Sequence, residues 1–324
     1  MSDLIAVEDV RHAYRTAAGP LPVLDGLTLH VPEGGFLAVV GPSGCGKSTL
    51  TKLLAGLLIP DEGEVRLHGE RVTGPRATVG MAFQNPVLLE WRTILRNVTL
   101  PLEVVPNSLG RAERDARARE LLALVGLEGF EDRRPSELSG GMRQRASLCR
   151  ALVHRPEVLI LDEPFGALDA FTREDLWQTL LALRRRTKVT TLLITHDLRE
   201  SVFLAERVVV LSGRPARTQH VLDVDLPEER TLEHLYTPRV TEMLAELRHE
   251  IAVAQGRAPG EAAPATDRAG GPGSRRQAEG TARPARTDAR PPAGGGGSGP
   301  TSRGAPDPAP GQRATPATLP DRAE

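Results

Sequence analysis

A glycine-rich turn at residues 41–48 joins the apolar run Phe36–Val40 to a predicted helix over residues 48–57. The turn reads GPSGCGKS and fits the pattern G-x-x-x-x-G-K-[S/T] in full. In such a turn the glycines allow backbone N–H groups to surround a phosphate, and the helix N-terminus adds partial positive charge. The pattern therefore predicts an α/β fold with a phosphate site. We expect this site to consist of Gly41, Pro42, Ser43, Gly44, Cys45, Gly46, Lys47 and Ser48.

Four further apolar runs show no alternation of apolar and polar residues, which is typical of strands buried on both faces of a parallel sheet. These runs cover Val79–Phe83 and residues 158–161, 191–195 and 208–211. Between the first and the second lies a mostly helical insert, with predicted helices over residues 111–125 and 141–154. Shorter runs predict an antiparallel layer near the N-terminus, at residues 4–7, 23–31 and 63–67.

Polar side chains follow three of the predicted parallel strands. Gln84 follows one strand, Asp162 and Glu163 follow the next, and His196 follows a third. The carboxyl ends of parallel strands meet at one edge of the sheet, where ligands bind in open α/β folds. We therefore expect all four side chains to converge on the phosphate turn.

The residue types at this edge predict phosphoryl chemistry. Glu163 is the candidate general base that polarises the attacking water, and Lys47 would reach the β- and γ-phosphates. His196 would contact the γ-phosphate. The predicted metal ligands are Ser48, Gln84 and Asp162. The predicted catalytic residues are Glu163, His196, Lys47 and Gln84.

Composition excludes several function classes. The formal net charge is −1, so the chain lacks the basic face of a nucleic-acid-binding protein. No apolar run approaches the roughly 18–20 residues of a membrane span, so any crossing of a membrane would require another chain. Cys45 and Cys149 form no CxxC pair and fit a reduced, cytoplasmic protein.

Residues 256–324 are rich in Gly and Pro and have Leu319 as their one large apolar side chain, which predicts a disordered tail.

The run LSGGMRQ at residues 138–144 carries a second anion-binding signal. Ser139 is a favourable N-cap, and Gly140 and Gly141 expose backbone N–H groups at the start of a helix. The chain already has a complete phosphate turn. The local sequence therefore leaves two interpretations open, an ordinary capped helix or a further part of a nucleotide site.

Together these motifs resemble the nucleotide-binding subunit of an ATP-binding-cassette (ABC) transporter, from about residue 4 to residue 226. The resemblance implies a P-loop NTPase core that hydrolyses ATP with Mg²⁺. It implies an ABC domain over residues 1–226 with a helical subdomain at about 86–150, then a helical extension at 227–255 and the tail at 256–324. It also adds four nucleotide-binding residues. These are Tyr14, which would stack on adenine, Thr49, Gln144 and Asp169, which ends the D-loop at residues 167–169.

The same resemblance gives the second anion signal a role. In this family two domains pair head to tail. Ser139, Gly140 and Gly141 of one chain would then close over the γ-phosphate held by Lys47 of a second copy. Hydrolysis would require both chains.

The loop after Gln84 and the run at residues 208–217 look like the nitrate, sulfonate and taurine importer group, which usually has Pro where this chain has Glu90. This implies an ATPase at the cytoplasmic face of the cell membrane that powers import through separate transmembrane permease subunits, with a solute-binding protein selecting the substrate. Trp91 either packs against the helical insert or borders a groove for a short permease helix. A thiamine-precursor importer, an exporter ATPase and a soluble ABC protein are the open alternatives.

Overall fold

A computed structural model describes residues 3–256. From residue 257 onward the predicted tail lies outside the described residues, so its disorder stays a prediction. The strands are β1 (Asp3–Thr16), β2 (Gly19–Pro32), β3 (Phe36–Val40), β4 (Glu62–Leu67), β5 (Glu70–Arg71), β6 (Val79–Phe83), β7 (Val158–Asp162), β8 (Thr190–Ile194), β9 (Arg207–Leu211) and β10 (Thr218–Asp223). The α-helices are α1 (Lys47–Leu54), α2 (Ile94–Val104), α3 (Arg111–Leu124), α4 (Gly140–Leu152), α5 (Ala170–Thr187), α6 (Leu198–Leu204) and α7 (Pro238–Ala254). Short 3₁₀ helices cover Pro135–Glu137 and Leu232–Tyr236.

The main sheet has six strands in the order β10-β9-β3-β8-β7-β6. The five strands from β9 to β6 are parallel, and β10 pairs antiparallel with β9. Along β3, Ala38 and Val40 pack into the core on one face, while Leu37 and Val39 pack into the core on the other. Burial on both faces explains why these runs do not alternate, and the predicted parallel sheet is confirmed.

An antiparallel sheet in the order β2-β1-β4-β5 covers one face of the main sheet. In it Ile5 pairs with Leu67 and Val7 with Val65, and these buried side chains share a core with α1. This is the predicted N-terminal layer. The opposite face is covered by α2 to α7, whose buried side chains form the second core.

Helix ends differ from the sequence prediction by a few residues. Helix α1 ends at Leu54 rather than residue 57, because Gly56 adopts a φ of 69°, which is typical of a residue that terminates a helix. Helix α4 covers Gly140–Leu152 rather than residues 141–154, with Ser139 as its N-cap. Helix α7 covers Pro238–Ala254 with Thr237 as N-cap and lies within the predicted helical extension.

The segment after β10 is attached to the body by a half-buried arginine, Arg230. The Arg230 guanidinium donates hydrogen bonds to the carbonyls of Val202, Phe203 and Ala205, at 3.2, 2.9 and 2.8 Å, and so caps the C-terminus of α6. Burial lowers the pKa of Arg230 to about 10.

Within residues 3–256, no helix is both long and apolar enough to cross a membrane.

Candidate functional site

The phosphate turn lies between β3 and α1. Gly46 has a φ of 123°, and a Cβ placed on it would lie 2.9 Å from two side chains of β2. No side chain caps α1, and the first N–H groups of a helix have no intrahelical acceptor. Lys47 is only 7% exposed, and its Nζ donates to the carbonyls of Gly41 (2.9 Å) and Pro42 (3.0 Å). A buried positive charge beside an uncapped helix start is the arrangement that an anion requires.

The antiparallel sheet brings Tyr14 to the same turn. Its hydroxyl lies 3.3 Å from Thr49 Oγ1 in α1. Cys45, by contrast, points into the core, where burial raises the pKa of its thiol. Ser43, Gly44 and Ser48 are exposed. The two serine side chains of the turn thus face outward, and its cysteine faces the core.

Glu163 and His196 are in contact across the ends of β7 and β8. The distance from Glu163 Oε2 to His196 Nδ1 is 3.1 Å. Glu163 has a φ of 47°, a left-handed conformation that costs a non-glycine residue about 1–3 kcal/mol. Its N–H donates to the carbonyl of Ile194 at 2.8 Å, which holds this backbone against β8. The backbone of Glu163 is therefore held in place, with its carboxylate beside His196.

Gln84 points to the same place from the end of β6. A Cβ placed on Gly166 would lie 3.0 Å from Gln84 Nε2 and 3.7 Å from His196 Cε1. Gly166 N–H donates to the carbonyl of Glu163 at 3.3 Å. Gln84, Glu163 and His196 therefore lie close together, as expected from the sequence, and their roles at the phosphate turn stay predictions.

Asp162 provides a test of whether a magnesium ion fits here. Burial and the neighbouring Glu163 carboxylate raise the pKa of Asp162, while the charges of Lys47 and Lys52 partly oppose this. Residues 3–256 contain no group of three or more His, Cys, Asp and Glu side chains that could hold a metal ion. Protein-bound Mg²⁺ usually combines one or two carboxylates with water and substrate phosphates. Asp162 with the exposed hydroxyl of Ser48 fits an ion that arrives with a nucleotide, because a cation would stabilise the half-buried carboxylate.

The start of α4 is a separate part of the surface. Ser139 Oγ accepts a hydrogen bond from the N–H of Met142 at 3.3 Å, and both Ser139 and Gly140 are exposed. Gly141 lies so close to α5 that a Cβ on it would overlap Thr172 Cγ2. The two glycines thus leave the first turn of α4 open on one side and tightly packed on the other.

Gln144, predicted as a nucleotide-binding residue, is buried in the interior of its own chain. Its Nε2 donates to the carbonyl of Phe83 at 3.0 Å, directly before Gln84. Gln144 therefore contacts the end of β6 within its own chain, and its contact with nucleotide stays a prediction.

Asp169 begins α5, and its carboxylate accepts hydrogen bonds from the N–H (3.1 Å) and the hydroxyl (2.7 Å) of Thr172. The hydroxyl bond is the main reason why the pKa of Asp169 is lowered. One turn on, Arg173 donates to the carbonyl of Leu168 at 3.1 Å and to Asp197 Oδ2 at 2.9 Å. The D-loop is thereby joined to the residue that follows His196.

Residues 24–166 match the family model described as ABC transporter. Over 211 residues the chain is 46% identical to the bicarbonate transport ATP-binding protein CmpD of Synechocystis sp., covering 65% of this chain and 75% of that protein. Over 222 residues it is 46% identical to the taurine import ATP-binding protein TauB of Pseudomonas syringae pv. tomato, covering 68% of this chain and 84% of that protein. The chain belongs to the ABC transporter ATP-binding proteins.

A solved structure of the ATP-binding cassette MJ0796 is similar to this ABC subunit, with a TM-score of 0.61 and 29% identity. The match covers 69% of this chain and 100% of that one, which is described as a dimeric post-hydrolysis state bound to ADP and Pi. The predictions of an ABC-type fold and of an ATPase that uses ATP and Mg²⁺ are confirmed. The roles of single site residues and the domain boundaries stay predictions.

Glu200 is a titratable residue of this ABC ATPase that sequence reasoning missed. It lies in α6, is 2% exposed, and accepts a hydrogen bond from the Thr195 hydroxyl. That hydroxyl in turn accepts from the N–H of Asp197 at 3.0 Å, so the network lies on both sides of His196. Burial raises the pKa of Glu200 to about 8, and the charges of Asp197 and Glu163 add to the effect. The hydrogen bond from Thr195 and the charge of Arg173 oppose it. No motif marks Glu200, because its partners meet only in the folded turn.

Glu200→Gln is expected to flatten the pH dependence of stability. The pKa of about 8 in the folded chain exceeds the ordinary value of 4.5, so the folded chain binds an extra proton between these values. The free energy of unfolding of the parent should therefore fall as pH rises from about 5 to 8, by up to about 1.4 kcal/mol per pH unit from this group. Urea unfolding at several pH values measures this slope. The exposed Glu242→Gln is the control, and equal slopes in the parent and Glu200→Gln would contradict the assignment.

Proposed function

We propose that this ABC ATPase binds ATP through Lys47, Tyr14 and the N–H groups of the phosphate turn, and that Glu163 polarises the attacking water. The contact of 3.1 Å between Glu163 and His196 carries this proposal, because it lies beside Gln84 at the sheet edge that also carries the phosphate turn. A carboxylate at this edge of the sheet can accept a proton from water. Ser48, Gln84 and Asp162 would hold Mg²⁺, which supplies positive charge against the phosphates when bound.

We further propose that the site is completed by a second copy of the chain, paired head to tail. Ser139 and Gly140 are exposed at the start of α4, where N–H groups and the helix dipole favour an anion. The similarity to a cassette described as dimeric supports this pairing. Each chain would then supply the start of its α4 to the γ-phosphate bound by Lys47 of the other.

The partner at the membrane is proposed to be a permease whose short helix enters a groove beside Trp91. Trp91 is 73% exposed and borders a groove of about 630 Å³ that also includes Arg92 and Arg96. The backbone of this loop is fixed by the buried Asn97, which donates to the carbonyls of Leu89, Arg92 and Thr93. An exposed aromatic side chain on a rigid loop is suited to anchor a partner helix. The exposure of Trp91 favours this interpretation over packing against the helical insert.

The transported substrate is proposed to be a small solute with an anionic group, moved inward. Bicarbonate and taurine, named in the two relatives, share that feature, as do sulfonates and nitrate. The ATPase would lie at the cytoplasmic face of the membrane, with a solute-binding protein selecting the substrate.

Uptake measurements in the source organism test this function. Deletion of the gene should lower uptake of labelled bicarbonate, taurine, a sulfonate or nitrate, and the full chain should restore it. Complementation with Glu163→Gln is the matched control for catalysis and should restore nothing. Lowered uptake of a thiamine precursor alone, or slower efflux with unchanged uptake, would contradict the proposal.

Mixing two inactive variants tests the head-to-tail site. Ser139→Arg should bind ATP yet hydrolyse none, because the arginine obstructs the nucleotide of the opposite chain. Lys47→Ala should fail to bind ATP at its own turn. In the mixed dimer one composite site avoids both defects, so activity should rise above that of either variant. Phosphate release measures this, and a mixture as inactive as its parents, with heterodimers demonstrated, would count against shared sites.

A further inference from the structure

Two aromatic side chains, Phe171 and Tyr236, are exposed to an unusual extent. Phe171, in the first turn of α5, is 87% exposed, more than any other large apolar side chain of residues 3–256. Tyr236, in the 3₁₀ helix before α7, is 75% exposed. The Arg199 guanidinium lies 5.9 Å from the ring centre of Tyr236, and its Nη2 lies 3.5 Å from Glu174 Oε1. Phe171 and Glu174 share one face of α5, being three residues apart. Phe171, Glu174, Arg199 and Tyr236 are called the aromatic patch below.

The segment that leads into Phe171 connects the two parts of the nucleotide machinery within one chain. At one end, Gly166 lies against Gln84 and His196. At the other, Thr172 lies against Gly141 in the first turn of α4. Residues 166–172 thus bridge the hydrolytic side chains and the start of α4.

The two-fold symmetry of the proposed dimer determines what residues 166–172 face. In the pairing proposed above, on which this inference rests, the start of α4 of one chain meets the phosphate turn of the other. The two-fold axis then passes midway between these two parts of a single chain. A segment that connects them lies beside the axis and faces its own copy.

We propose that the aromatic patch is a docking surface for the second copy of this chain and that Phe171 is buried there in the closed dimer. A two-fold interface must be complementary to itself. The patch is compatible with this condition, because the charges of Arg199 and Glu174 cancel, whereas a patch of one sign would repel its copy. Aromatic side chains and arginine are also the residues that carry most binding free energy at interfaces. The proposed permease groove at Trp91 is lined by α2, its preceding loop and the start of α3, and by none of the residues of the aromatic patch.

Dimer affinity tests the contact. The full chain carrying Glu163→Gln, which should retain ATP, is studied with ATP and Mg²⁺ by analytical ultracentrifugation, with and without Phe171→Ala. Loss of two buried phenylalanines per dimer should weaken dimerisation on the order of 100-fold, with unchanged ATP affinity of the single chain. Tyr236→Ala should also weaken the dimer. Val104→Ala, at an apolar side chain that is 75% exposed elsewhere, should leave it unchanged.

A cross-link gives an independent result. Cys45 and Cys149 are both buried, so Phe171→Cys introduces an accessible thiol. A short bis-maleimide should join two chains in the presence of ATP, and Val104→Cys should give no cross-link. If dimers form but Phe171→Ala pairs as tightly as its parent and Phe171→Cys does not cross-link, the aromatic patch is not the docking surface. The head-to-tail pairing is then unaffected. If no dimer forms with ATP and the mixed variants stay inactive, the pairing itself is wrong.

Discussion

Glu163→Gln is expected to slow ATP hydrolysis by roughly 10²- to 10⁴-fold, the range that a positioned general base contributes, while ATP binding stays at the parental level. The side chain keeps its size but loses the ability to accept a proton. The contact with His196 Nδ1 can persist through the amide oxygen, so the local fold should be retained. Phosphate release and binding of a fluorescent ATP analogue measure the two quantities separately.

Glu157→Gln is the matched control for this result. Glu157 precedes the same strand, β7, at the opposite edge of the sheet, where it pairs with His68 at 3.1 Å. It should hydrolyse ATP at the parental rate. Hydrolysis at the parental rate by Glu163→Gln, or an equal loss in both variants, would show that the base lies elsewhere.

Lys47→Ala is expected to weaken ATP binding by about 100-fold or more. Hydrogen bonds to charged groups contribute about 1.5–3 kcal/mol each, and Lys47 is the buried cation of the phosphate turn. Alanine is a strong helix former, so α1 should persist at its first position. Titration with the fluorescent ATP analogue gives the affinity, and circular dichroism shows whether the fold is kept.

Lys52→Ala separates the position of Lys47 from the mere loss of a positive charge. Lys52 lies in the last turn of the same helix and is exposed. Its replacement should change ATP affinity by less than about twofold, since exposed charges are screened. Parental affinity in Lys47→Ala, or the same loss in both variants, would contradict the proposed phosphate contact.

The parallel sheet could be predicted from sequence because both of its faces are buried. Each strand therefore appears as an unbroken apolar run, and the runs at Phe36–Val40 and Val79–Phe83 have the predicted bounds. The approach of Gln84, Glu163 and His196 was also predictable, since parallel strands bring their carboxyl ends to a common edge.

The contacts that support these side chains were not predictable from local patterns. Arg230 caps α6 from 25 to 28 residues away in sequence, and nothing in its neighbourhood distinguishes it from other arginines of the chain. Gln144 belongs to a recognisable motif, yet its burial depends on how α4 packs against β6. Glu200 likewise acquires its raised pKa only when α6 closes over the turn at Thr195. Such features arise from packing between distant segments, which spacing along the chain does not encode.

The hydrogen bond from Gln144 to Phe83 has a mechanical consequence. It connects α4, which packs with α2 and α3, to the peptide bond directly before Gln84. A rigid rotation of those three helices relative to the sheet must either break this bond or carry residue 84 with it. The loop that bears Trp91 is fixed to α2 through Asn97. A force applied at Trp91 would therefore act on the same group of helices, α2, α3 and α4. Together with the packing of α4 on β6, this buried amide would transmit a displacement at the outer surface to the residue that precedes Gln84.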